Sequence, residues 1–136
     1  MKQIDLAADE KNYKEAQAFV RSQLLCLCLD GKALKQLELV VEELFVNISH
    51  YAYGKEGGSV RIFAEVDLIL RTVKIVFCDS GIPFNPLELN EPDVTLSADK
   101  RPVGGLGIFL AKKYMDKLEY KRSDGMNVLT VCKSFL

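Results

Sequence analysis

Histidine is nearly absent from these 136 residues, and with His50 alone no zinc or catalytic centre built on paired imidazoles is expected. His50 therefore reads as a local hydrogen-bonding residue. Neither charge sign prevails: 18 Lys and Arg against 19 Asp and Glu leave a net charge of −1. Without a basic footprint, direct nucleic-acid binding is not expected. No apolar run approaches the ~20 residues needed to span a bilayer, so no membrane segment is expected. The start, Met1–Asp5, has no apolar h-region and does not read as a signal peptide. Cysteine is sparse, at Cys26, Cys28, Cys78 and Cys132. The Cys26-Leu27-Cys28 pair lacks the second pair or neighbouring histidine that a zinc site needs. All four lie in apolar segments and are predicted to pack as small core hydrophobes in a reducing, cytoplasmic setting. Repeats and low-complexity tracts are missing. Proline is confined to Pro83, Pro86, Pro92 and Pro102.

What is present suits one soluble domain over residues 1–136, with 49% apolar and 27% charged residues. Lys2–Leu6 alternates like a short strand. Between Asn12 and Leu29, Ala16, Phe19, Val20, Leu24 and Leu27 step by three and four, predicting a helix that Asp30-Gly31 ends, Gly31 serving as a left-handed cap. A second helix is predicted from about Lys32 to Tyr53, with Leu37, Val41, Leu44, Ile48 and Ala52 as its core stripe. Gln36, Glu43, Asn47 and His50 form a polar arc beside that stripe. Strands follow over Ser59–Leu68 and Leu70–Cys78, covered on one face. The proline-bearing stretch Asp79–Val103 is irregular, as functional loops are. A helix over about Leu106–Asp116 and a hairpin of Leu118–Arg122 with Asn127–Phe135 close the chain.

Three clusters carry candidate chemistry. Glu43 and Asn47 are four apart, so their side chains stack on one helix face. A carboxamide oxygen is a hard ligand for Mg²⁺, and a carboxylate one turn away can take a hydroxyl proton. The same pair would also suit a solvated helix surface. Asp79-Ser80-Gly81 follows a strand, where Asp79 could accept from an exocyclic amine such as adenine N6 and Gly81 would leave room for the ring. A plain turn would use the same residues. Gly104-Gly105-Leu106-Gly107 opens a helix whose free N–H groups could meet phosphate, or it is a hinge. No Gly-Lys-Ser/Thr follows, so it is not a Walker A loop, and no βαβ unit surrounds it. Lys100 and Arg101 could reach phosphate oxygens or remain solvated.

In this order, E-x-x-x-N on a helix, D-x-G-x-x-F after a strand and G-G-x-G-I opening a helix, the chain resembles the GHKL group of ATPases. The segments Glu42–His50, Gly104–Ala111, Tyr114-Met115-Asp116 and Asn127–Val131 resemble those of bacterial anti-sigma-factor serine/threonine kinases. That resemblance implies a Bergerat ATP-binding fold, a two-layer α/β sandwich with helices on one face of a mixed, largely antiparallel sheet. It also implies an ATP lid over about residues 80–103. ATP and Mg²⁺ would be the cofactors, and Glu43 the catalytic base. Asn47 would hold the metal, Asp79 and Gly81 the adenine, and Gly105 and Gly107 the phosphates, with Gly104, Lys100 and Arg101 as further phosphate-end candidates from the residues themselves. The implied partners are a sigma factor, contacted near Arg21 among others, and an anti-anti-sigma protein of the STAS type. A homodimer is also implied. An ATP-gated binding module without kinase activity, and a detached histidine-kinase catalytic domain, are the competing functions. An intact Glu43 favours the kinase, because a binding module needs no base.

Overall fold

The computed structural model describes residues 2–88 and 105–136. Its elements run β1 (Lys2–Ala7), α1 (Tyr13–Leu24), α2 (Gly31–Tyr51), β2 (Ser59–Asp67), β3 (Thr72–Asp79), α3 (Gly105–Tyr114), β4 (Lys117–Ser123) and β5 (Met126–Ser134). The strands form one sheet in the order β1-β2-β3-β5-β4. All four pairings are antiparallel. Two helices between β1 and β2 carry the chain away and back, so β2 returns antiparallel beside β1. β3 and β4 run the same way because each pairs antiparallel with β5, which slots between them; among the described residues α3 lies on the connection.

Alternation decides which sheet face is covered. Val60, Ile62 and Ala64 of β2, Val73, Ile75 and Phe77 of β3, and Leu129 and Val131 of β5 are all buried. Against them lies α2, whose predicted stripe of Leu37, Val41, Leu44, Ile48 and Ala52 is fully buried. Val40 and Phe45 are buried as well, because α1 and α3 flank α2 and cover a wider arc than one stripe. The result is two layers, with helices on one face of an antiparallel sheet. No helix among the described residues is long and apolar enough to cross a membrane.

Two expectations need correction. Gly31 does not cap α1; it is the first residue of α2. The Asp30 carboxylate accepts from the Ala33 N–H at 2.7 Å and so caps the helix N-terminus, an arrangement worth ~1 kcal/mol. The first helix ends earlier, at Leu24, in a 3-10 turn over Leu25–Leu27, and Cys28 takes the left-handed position with φ 51°. The cysteines are not core residues either. Cys26 and Cys28 are exposed on that turn, while Cys78 and Cys132 are half-buried. The latter two alternate with Phe77 and Val131 and so face the side of the sheet without helices. Burial and the Asp79 charge push the Cys78 thiol up. His50 meets its expectation: Nε2 lies 2.7 Å from Glu10 Oε2, tying the last turn of α2 to the segment before α1.

Candidate functional site

Helix α2 is the spine on which the candidate residues are arranged. Asn47 is only 1% exposed, while Glu43, one turn earlier, is half-buried. Burial first, and the neighbouring Glu42 charge second, hold the Glu43 carboxyl above the usual range. A carboxylate of raised affinity for protons suits a group that must accept one. Helix α3 crosses here through Gly107. A Cβ at that position would lie 2.5 Å from Glu43 Cβ and 2.6 Å from Oε2, so only glycine lets the two helices approach. Gly105 is the first residue of α3, and the N–H groups of a helix's first turn have no partner within the helix itself.

The other end of α2 holds Asp79 and Gly81. Ile82 N–H donates to the Ala52 carbonyl at 2.8 Å, directly beyond the last turn of α2. Gly81 lies so close to Ala52 that any Cβ would collide with its carbonyl. The glycine requirement is therefore already set by the protein's own backbone. Asp79 is 2% exposed. Its Oδ1 accepts from Gly81 N–H and from Asn127 Nδ2, both at 2.9 Å. Neither of these two bonds uses Oδ2. Burial raises the Asp79 carboxyl, offset in part by the Asn127 and Gly81 hydrogen bonds and by the Arg122 charge.

Asn127 is the residue that motif reading did not single out for this site. It pairs with Asp79 in the β3–β5 register and is 3% exposed. Its Nδ2 also donates to the Ile82 carbonyl at 2.8 Å, and its Oδ1 accepts from Phe84 N–H at 3.1 Å and from Tyr120 OH at 2.5 Å. One carboxamide thus fixes the Asp79 carboxylate and the backbone of residues 82–84 together. Arg122 Nη1 donates to the Gly81 carbonyl at 2.8 Å, and Tyr53 OH accepts from Ser80 N–H at 2.8 Å. The signal for Asn127 was its phase, since alternation with Leu129 and Val131 makes it a polar residue at a core-facing position.

Of the predicted site residues, the structure places Glu43 and Asn47 one turn apart on α2 with Gly107 against Glu43, and brings Asp79 and Gly81 to the end of α2. Lys100, Arg101 and Gly104 lie outside the described residues. From Glu43 to Ala52 the helix rises ~13 Å at ~1.5 Å per residue, a length that an extended nucleoside triphosphate can bridge. The donor set fits such a ligand: a buried acceptor at one end, and a glycine approach, a carboxamide and helix N–H groups at the other. A cleft of about 650 Å³ lined by Tyr53, Ser80, Gly81 and Arg122 abuts the Asp79 end but includes neither Glu43 nor Asn47.

Comparison with known proteins bears on the family and the fold. A family profile described as histidine kinase-like ATPase domain matches residues 6–133. The chain is 30% identical over 95 residues to the serine/threonine-protein kinase BtrW of Bordetella bronchiseptica, covering 70% of this chain and 66% of that protein. It is 26% identical over 105 residues to the serine-protein kinase RsbW of Bacillus mycoides, covering 71% and 61%. The match thus spans a little under two thirds of either relative. Among solved structures, a chain of the SiaB–SiaC complex from Pseudomonas aeruginosa superimposes with a TM-score of 0.55 at 14% identity, over 99% of this chain and 90% of that one. At that identity the likeness concerns the fold.

Proposed function

Because this chain belongs to the histidine kinase-like ATPase domain family, we propose that it is an ATP-dependent serine/threonine protein kinase acting as an anti-sigma factor. Its protein substrate would be an anti-anti-sigma antagonist of the STAS type, and its regulatory target a sigma factor. The names of the relatives BtrW and RsbW support the serine kinase part of this reading. The structural neighbour was solved as a SiaB–SiaC complex, which supports a fold that engages a protein partner. The observation that carries the kinase reading is Glu43: a half-buried carboxyl of raised proton affinity, set one turn from Asn47 and pressed against Gly107 at the start of α3.

In this reading Asp79 Oδ2 accepts the adenine N6–H, and Asn127 holds that carboxylate in place. Asn47 would hold Mg²⁺ through its carboxamide oxygen, and the first-turn N–H groups of α3 would meet the phosphates. Bound Mg·ATP supplies the phosphoryl group and the charge neutralisation that phosphoryl transfer depends on. Glu43 takes the proton from the incoming seryl hydroxyl as its oxygen bonds to phosphorus and ADP departs. Lys100, Arg101 and Gly104 remain candidates for the phosphate end.

The test is to incubate the protein with Mg·ATP and the STAS-type proteins of its own organism, then map any modified residue. Acid-stable phosphoserine or phosphothreonine on one of them is the expected result. Tight ATP binding without transfer would replace the kinase by an ATP-gated binding module. Acid-labile phosphohistidine would indicate a histidine-kinase catalytic domain.

A further inference from the structure

Tyr53 lies two residues beyond the end of α2, and the sequence motifs leave it without a role. Its ring is partly buried against the core. Its hydroxyl both donates and accepts, as a phenol can. It donates to the Ser59 carbonyl at 2.7 Å, at the start of β2, and accepts from the Ser80 N–H at 2.8 Å, directly after β3. One side chain thus ties together the ends of α2, β2 and β3. The strand register shows what stands at that junction, for Val60, next to Ser59, pairs with Asp79, next to Ser80. The Ser80 N–H belongs to the peptide by which Asp79 leaves the sheet, so the phenol holds Asp79 by its backbone. Asn127 holds the same residue by its carboxylate, at 2.9 Å from β5. Gly58 keeps the ring in place. A Cβ there would run into the Tyr53 ring, nearest to Cε1 and to Cζ, the carbon that bears the hydroxyl. Backbone conformation does not demand glycine at 58, since the left-handed φ of 69° belongs to Gly57. The close approach of the ring does.

We propose that Tyr53 is a positioning residue for base selectivity: its hydroxyl sets the Asp79–Ser80 peptide and so aims the Asp79 carboxylate at the exocyclic amine of adenine. The inference rests on the nucleotide reading of Asp79 and adds to it a determinant from the segment after α2. Tyr53 acts through geometry and need not touch the base. A hydrogen bond weakens steeply as its angle closes, so a small rotation of that peptide is enough to spoil the bond to the amine. The other contacts of a nucleotide, to its ring and phosphates, do not depend on that angle. ATP therefore loses affinity when Tyr53 lets go of Ser80. GTP, which has no 6-amine to offer Asp79, loses little. Gly58 belongs to the same device, because a side chain there would swing the ring and draw the hydroxyl away from Ser80.

Titration calorimetry with Mg·ATP and with Mg·GTP, on the whole chain and its variants, tests this. Tyr53→Phe keeps the ring and removes only the hydroxyl. Its dissociation constant for ATP should rise ~5–10-fold, the worth of about one hydrogen bond, with that for GTP nearly unchanged. Gly58→Ala keeps the hydroxyl but displaces it, and should lower the preference for ATP by a similar factor. In a Tyr53→Ala background there is no ring to displace, so adding Gly58→Ala should alter the preference by less than about twofold. Urea unfolding on the same samples reports stability beside selectivity. A tyrosine that only supports the fold would lower the unfolding midpoint and leave the ATP preference at the parent value, and that result overturns the proposal. So does a Gly58→Ala effect that persists undiminished without the ring. A parent chain that binds the two nucleotides alike overturns the adenine reading of Asp79 and the Tyr53 role with it, and is told apart from the first failure before any variant is made.

Discussion

Gly107 of α3 rests against Glu43 of α2 so closely that a Cβ would lie 2.5 Å from the glutamate's own Cβ. Because that atom is fixed to the α2 backbone, a rotamer change at Glu43 cannot relieve the clash. Gly107→Ala must therefore push α3 off α2. Such overpacking costs ~1–3 kcal/mol, and it moves the start of α3 away from Glu43. Phosphoryl transfer should fall by more than an order of magnitude while the fold survives, as urea unfolding and a phosphorylation assay on the same sample will show.

Glu43→Gln separates chemistry from stability. On the proposed kinase reading Glu43 must be ionised to act as the base, so transfer should fall as pH drops through a pKa above the ordinary glutamate range. Loss of the base should lower the rate by ~10²–10⁴ and abolish that acid limb, while nucleotide affinity is kept. The stability effect has the opposite sign. A carboxyl whose pKa is raised in the folded state contributes fully below its unfolded pKa, and that contribution is lost as pH rises through the folded pKa. Glu43→Gln should therefore be more stable than the parent chain at neutral pH, with the gain vanishing below the unfolded range of ~4. Thermal unfolding across pH, beside initial rates, checks both halves.

The Asp79 end predicts base selectivity. Oδ1 is engaged by Gly81 and Asn127, and on the proposed reading Oδ2 accepts the exocyclic amine. A purine bearing a 6-oxo group would set its carbonyl against that carboxylate. GTP should bind at least ~10²-fold more weakly than ATP, because a site built around one hydrogen bond rejects the analogue that cannot make it. Titration calorimetry with the two nucleotides, at equal Mg²⁺, measures the ratio.

Much of this was legible in the sequence because it rests on local pattern. The α2 stripe from Leu37 to Ala52 and the alternation of Val60, Ile62, Val73, Ile75 and Phe77 announce which faces are buried. The spacing of Glu43 and Asn47 announces that they share a helix face. Other features depend on contacts between distant segments. The cap assigned to Gly31 went to Cys28, because Asp30 was engaged as the N-cap of the next helix. Motif spacing placed glycine at position 81 for the sake of a ligand, yet the backbone of Ala52 already requires it. The pairing of Asp79 with Asn127 spans 48 residues and follows from β5 inserting between β3 and β4, an order that no local window contains.

Asn127 offers the sharpest test of that long-range arrangement. Its carboxamide donates twice, to Asp79 Oδ1 and the Ile82 carbonyl, and accepts twice, from Phe84 N–H and Tyr120 OH. Asn127→Ala strands several buried polar groups at ~1–3 kcal/mol each, less whatever solvent recovers. Asn127→Asp keeps the shape but replaces the donor facing Asp79 by a second carboxylate. Two such groups cannot both ionise cheaply, so the pair's proton affinity in the folded state rises well above its unfolded value. Stability is then lost as pH rises through that raised pKa and recovered as pH falls. Asn127→Asp should be the less stable of the two variants at pH 8 and should gain on Asn127→Ala on going to pH 5. Denaturant unfolding at the two pH values decides it: equal pH dependence in both variants would mean that position 127 does not face the Asp79 carboxylate.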